Sequence, residues 1–146
     1  MAKISKEEEE LRKLSVEMRF LEQTAETLQQ RVSMINAAMT DLAYASMTLE
    51  GIEQEKEDAE LLVPIGGSSY VKVKLSNPDK VVVGMGAGVS VEKTLPEAKE
   101  IVKERLDELE KTMVSAQQQF AQVADRINAG RNRLESLLAT VREGKT

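Results

Sequence analysis

At 146 residues, 31% of them charged and only 3% aromatic, the chain has the balance of surface-rich helices rather than of a thick globular core. A formal net charge of −5 argues against nucleic acid as the main partner, because phosphate binding needs a concentrated positive field. The absence of Cys and His removes thiol nucleophiles, imidazole bases, disulfides and the common zinc sites together.

No cofactor and no metal are expected, and the chain does not read as an enzyme. Residues 1–20 are charged throughout and no apolar run is long enough to cross a bilayer. The expectation is a soluble, cytoplasmic protein with neither signal peptide nor membrane partner.

From Ser5 onward the apolar residues fall at alternating steps of three and four. One set is Leu11, Met18, Ala25, Val32 and Met39, followed by polar Ser46; the other is Leu14, Leu21, Leu28, Ile35, Leu42 and Leu49. This is a sustained heptad whose two sets face a partner helix. Ser5 with Glu8 forms a capping box at the start. Gly51 is a plausible stop, which puts the first helix at residues 5–52.

The period then switches to two. Leu61–Ile65, Tyr70–Leu75, Lys80–Val83 and Val89–Glu92 read as four short strands within residues 61–93. Gly66-Gly67-Ser68, Asn77-Pro78-Asp79 and Gly86-Ala87-Gly88 punctuate them as turns, and Pro64 marks an edge or a bulge. Gly84, Gly86 and Gly88 lack the following helix and Lys-Ser/Thr pair of a nucleotide loop, so they read as turn glycines.

Thr94-Leu95-Pro96-Glu97 opens the second helix, residues 94–143, as another capping box. Its seam runs Val102, Leu106, Leu109, Met113, Ala116, Phe120, Val123, Ile127, Gly130, Leu134, Leu137 and Val141, apolar except for Gly130. Each helix is roughly 45 residues, about 70 Å long at 1.5 Å per residue.

Helices of matched length flanking a compact insert can fold back as an antiparallel pair. One register puts Met18 opposite Gly130, Leu28 opposite Phe120, Val32 opposite Ala116 and Leu42 opposite Leu106. Large then meets small along the seam, as close packing requires. The fold class expected is mostly α with a small β part: one domain over residues 1–146, a long antiparallel two-helix coiled coil with two central β-hairpins. The hairpins would sit at one end of the helix pair and both chain termini at the other. Such hairpins leave strand edges and valine-rich faces open, so they are expected to join an oligomeric β-sheet or barrel. The rival is a private four-stranded sheet.

Two stretches carry a family likeness: Leu62-Val63-Pro64-Ile65-Gly66 followed by Ser69-Tyr70-Val71-Lys72, and Val83-Gly84-Met85-Gly86-Ala87-Gly88-Val89-Ser90-Val91-Glu92. With the flanking helices, these resemble the prefoldins, in particular their α-type subunits, which carry two hairpins where β-type subunits carry one. The chain departs from the pattern at Met85, where members often have valine, and at Val89, where they often have an aromatic residue. The resemblance implies an archaeal, ATP-independent chaperone subunit. It implies a hexamer of two α-type and four β-type subunits, a second copy of this chain included, that holds unfolded client proteins at arm tips and passes them to a group II chaperonin. A coiled-coil spacer or a filament-forming relative is the alternative.

A captor of unfolded chains needs adaptable apolar surface. The residues expected for client contact are Ile4, Leu11, Leu14, Met18, Phe20, Leu134, Leu137, Leu138 and Val141. Gly130 costs its helix about 1 kcal/mol relative to Ala, so the turns beyond it are expected to fray and expose seam residues. Phe20 and Met34 share an outward stripe that the seam does not use. Tyr44 and Met47 also lie off the seam and are expected to pack on hairpins or a neighbouring subunit. The hairpin residues expected to join subunits are Leu61, Val63, Ile65, Val71, Val73, Leu75, Val81, Val83, Val89 and Val91. The run Glu7–Glu10 could suggest a metal-dependent hydrolase. Helix geometry spreads those carboxylates around the axis, and a solvated face at a helix N-terminus is the better reading.

Overall fold

A computed structural model describes residues 5–144 as two long helices enclosing two small sheets. Helix α1 spans Lys6–Glu53 and α2 spans Leu95–Glu143. Between them lie β1 (Glu60–Gly66), β2 (Ser69–Lys74), β3 (Lys80–Gly86) and β4 (Val89–Thr94). The chain divides into two compact units: residues 1–36 with 111–146, and residues 37–110.

Helix ends follow the capping chemistry. The Glu8 N–H donates to Ser5 Oγ at 3.2 Å, and Glu7, Glu8 and Glu9 fill the first turn, where carboxylates complement the helix dipole. At the start of α2 the Glu97 N–H donates to Thr94 Oγ1 at 3.3 Å, and that hydroxyl donates in turn to Glu97 Oε1. Gly51 does not stop α1: two further residues are helical, and the Gln54 and Glu55 N–H groups close the last turn on the carbonyls of Gly51 and Ile52.

In the first unit the helices run antiparallel, with Met18 against Gly130 and Glu10 paired with Arg133. Met18, Leu21, Ile35, Ala116, Gly130 and Leu137 are buried, and the other seam residues of this unit are half-buried. The expected Met18–Gly130 register holds. Val32 and Phe120 line one shallow groove with Gln29 and Gln117.

The second unit contains the core cluster Leu49, Leu95, Ala98 and Val102, with Ala98 fully buried. Leu42, Ala45, Ile52, Leu106 and the β3 residues Val81 and Val83 pack around it. Alternation in β3 thus turns two valines onto the helices.

The strands form two separate two-stranded sheets, β1–β2 and β3–β4. A private four-stranded sheet does not form, so each strand leaves its outer edge without a strand partner among the described residues. The hairpins are built alike. Glu60 pairs with Lys74 and Lys80 with Thr94; the register shifts between Pro64 and Gly66 in one and between Gly84 and Gly86 in the other. Each closes through two residues with positive φ, Gly67 (55°) and Ser68 (59°), then Ala87 (52°) and Gly88 (77°). Both are type I′ turns, whose twist matches that of the strands. β3 runs past the expected end at Val83 because Gly84 still pairs with Ser90. Leu75 lies just beyond β2 but extends its ladder: its carbonyl accepts from the Asp58 N–H at 2.7 Å and its N–H donates to the Ala59 carbonyl at 2.9 Å.

Candidate functional site: apolar surfaces of the helix ends and hairpins

Two sets of surfaces carry the expected functional residues. The first is the part of the helix pair nearest the chain termini. Ile4 lies outside the described residues. Leu11, Leu14, Leu134 and Val141 are half-buried, while Met18 and Leu137 are buried in the seam. Phe20 and Leu138 are exposed, Phe20 to 68%. A contact surface ready as it stands is therefore Phe20 and Leu138, with half-covered seam leucines beside them.

Val16 is a residue that periodicity passed over. It is as exposed as Phe20 and sits four residues before it, which places both on one helix face. The signal lay in that spacing. Met34 and Val114 are likewise exposed.

Gly130 takes a role that helix propensity did not reveal. It is buried, α2 continues through it to Glu143, and a methyl group at this position would overlap Met18 Sδ. The glycine makes room for a methionine knob.

A bidentate ion pair ties the helices close to these residues. Arg133 Nε donates to Glu10 Oε1 at 2.8 Å and Nη2 donates to Oε2 at 3.0 Å. The guanidinium hydrogen bonds hold the Glu10 carboxyl below the usual carboxylate range, and Glu10 raises Arg133 in return. Of the acidic run, Glu9 pairs with Lys13 and Glu10 with Arg133. No group of carboxylates among the described residues is arranged to hold a metal.

The second set is the hairpins. Val63, Ile65, Val71, Val89 and Val91 are exposed; Leu61, Val73, Leu75, Val81 and Val83 are half-buried. Leu62, Tyr70, Val82 and Met85 are exposed too, so both faces of the hairpins carry open apolar side chains. Alternation alone assigned only one face.

Arg105 fastens the second hairpin. Its Nη2 donates to the Gly84 carbonyl at 2.7 Å and lies 3.9 Å from Met85 Sδ. No motif announced this contact, because it joins residues far apart in sequence. Lys99 bonds Glu53 across the two helices, and that hydrogen bond, with the nearby Glu53 and Glu50 charges, raises the lysine pKa. Among the described residues, no helix is long and apolar enough to cross a membrane.

Comparison with known proteins agrees with this architecture. A family model described as "Prefoldin subunit" matches residues 21–140. A prefoldin subunit alpha from Methanosarcina mazei is 33% identical over 99% of both chains. One from Methanopyrus kandleri is 34% identical over 77% of this chain and 72% of its own length. Among solved structures, a filamentous PFD from Methanocaldococcus jannaschii matches with a TM-score of 0.67 at 25% identity, covering 77% of this chain and 93% of the other.

Proposed function

Since the chain belongs to the prefoldin family, a family of chaperones with α-type subunits like this one in archaea, we propose that it is a holdase subunit working in the cytoplasm without ATP. Its hairpins join those of β-type subunits and of a second copy of this chain, in a hexamer of two α-type and four β-type subunits. The helix ends near the termini hold unfolded proteins, and the assembly delivers them to a group II chaperonin.

The observation that carries this reading is the pair of separate hairpins with exposed apolar faces and open strand edges. Open edges template pairing with another chain, and these belong to a chain whose helices otherwise cover their own seam. Client contact is supported by exposed Phe20 and Leu138, flanked by half-buried Leu11, Leu14, Leu134 and Val141. An unfolded client offers apolar groups without fixed geometry, so a small, adaptable apolar surface suits it better than a shaped pocket.

Native mass measurement with β-type subunits, followed by an aggregation-suppression assay, tests both halves. A discrete hexamer that loses suppression when Phe20 and Leu138 are both changed to serine is the expected result. A hexamer whose suppression survives that change removes the client surface proposed here.

A second reading has a specific observation behind it: the match to a prefoldin whose structure is described as filamentous. Open-ended polymers of this chain alone, with no discrete complex on adding β-type subunits, would favour a filament-forming role.

A further inference from the structure

The two hairpins are equivalent position for position, yet only one has its face on helices. In β3–β4 the face formed by the pairs Val81–Lys93 and Val83–Val91 turns Val81 and Val83 onto the Leu49–Leu95–Ala98–Val102 cluster. Twenty positions earlier, as from Lys80 back to Glu60, the same face of β1–β2 is formed by Leu61–Val73 and Val63–Val71. It is the more apolar of the two, with valine where β4 has Lys93. Even so, Val63 and Val71 are each 43% exposed, and none of its residues joins the core cluster. The docked hairpin therefore shows what its twin is shaped to meet: the flank of a helix bearing small and apolar side chains.

Such a flank exists in the same unit. Ala37, Thr40, Tyr44, Met47 and Gly51 recur at steps of three and four on α1, away from the seam, and all are exposed. Tyr44 and Met47 are each 66% exposed, and nothing lies within 4 Å of where a Cβ on Gly51 would stand. From Val32 to Leu49 the sole charged residue is Asp41, whereas α2 in this unit carries Glu97, Lys99, Glu100, Lys103, Glu104 and Arg105 in its first turns. A solvated helix in a chain this rich in charge has no need of such a stretch. Its periodicity is that of a second seam, and Gly51 permits close approach of a strand backbone.

We propose that the Leu61–Val63–Val71–Val73 face of β1–β2 docks on the Ala37–Tyr44–Met47–Gly51 flank of α1 in a second copy of this chain. Both surfaces are exposed within one chain, so the contact is made between chains. Each copy carries both surfaces, so two copies exchange hairpins reciprocally about a two-fold axis, the commonest closed arrangement. The inference rests on the reading of the hairpins as assembly elements and adds to it the helix surface that receives one of them.

The chain has no cysteine, which makes a clean test possible. Full-length Met47→Cys and Val63→Cys chains are purified separately, checked for helicity, mixed, and oxidised with copper–phenanthroline. The expected product is a mixed disulfide joining positions 47 and 63, several-fold more abundant than either self-linked species. Adding Tyr44→Lys to the Met47→Cys chain should abolish it. Predominant linkage of 63 to 63 would mean that hairpins meet face to face; predominant linkage of 47 to 47 would mean that α1 meets α1. Either overturns the proposal, as does a chain that remains monomeric alone. If β-type subunits still yield a discrete hexamer while position 47 never links to 63, this inference fails and the assembly reading stands. If no complex forms at all, the assembly reading fails with it.

Discussion

The sulfur of Met18 occupies the space that a side chain on Gly130 would need. This knob and its socket fix the register of α1 against α2 in their unit. They also give a poor helix former a place inside a long helix, where glycine alone would cost about 1 kcal/mol. The loss of propensity is exchanged for burial of a methionine that is itself almost fully covered.

Gly130→Ala should therefore not stiffen the helix pair. Gaining propensity is worth about 1 kcal/mol, but overpacking a fitted contact costs about 1–3 kcal/mol, so a net loss of about 1 kcal/mol is expected. Met18→Ala empties the socket and should cost about 2–5 kcal/mol. In the double variant the new methyl fills part of that space, so the two effects should be strongly non-additive. A thermal or urea double-mutant cycle measures this, and additive losses would show that the two residues do not share one site.

Ala87 is a non-glycine residue at φ 52° in the β3–β4 turn, next to Gly88. Asparagine tolerates this region, and Asn-Gly is the favoured type I′ pair. Ala87→Asn should stabilise the hairpin by about 0.5–1 kcal/mol. Urea midpoints check it; an unchanged or lower midpoint would mean that the turn is not strained as the dihedrals imply.

Arg105 and the Gly84 carbonyl are joined at 2.7 Å. Arg105→Leu keeps an apolar stem but removes the donor, so β3–β4 should open more often from its helices. Amide hydrogen exchange should quicken across Lys80–Gly86, while Ser69–Lys74 in the other hairpin stays as it was. Equal acceleration in both hairpins would point to a general loosening instead.

The chain has no His, so side-chain titration leaves stability nearly level through neutral pH, and the two interhelical pairs set its margins. Glu10 has a depressed pKa when folded. Its contribution is complete above the ordinary carboxylate pKa and disappears as pH falls through the lowered folded value. Lys99 has a raised pKa when folded. Its contribution is complete below the ordinary lysine pKa and disappears as pH rises through the raised value. Both pairs are solvent-exposed, so the effects are small and salt-sensitive. Comparing Glu10→Gln with the parent chain should show a melting-temperature difference at pH 7 that vanishes in strong acid. A difference independent of pH would assign the effect to packing.

Much of the architecture was legible in the chain itself. Heptad positions from Leu11 to Leu49 and from Val102 to Val141 are all buried or half-buried, and the Ser5 and Thr94 caps stand where the sequence places them. The Gly66 and Gly86 turns close hairpins as expected. These features depend on side chains a few residues apart, and such local periodicity is a property of the sequence alone.

Tertiary structure decided the rest. It separated the strands into two sheets and laid Val81 and Val83, but not Leu61 and Val63, on the helix cluster. It directed Arg105 to Gly84 and Glu10 to Arg133, and it turned Gly130 from a weak point into a socket. Each of these joins residues distant along the chain. Which of several similar apolar or charged surfaces meet is settled by the space they share, and no repeat in the sequence records that.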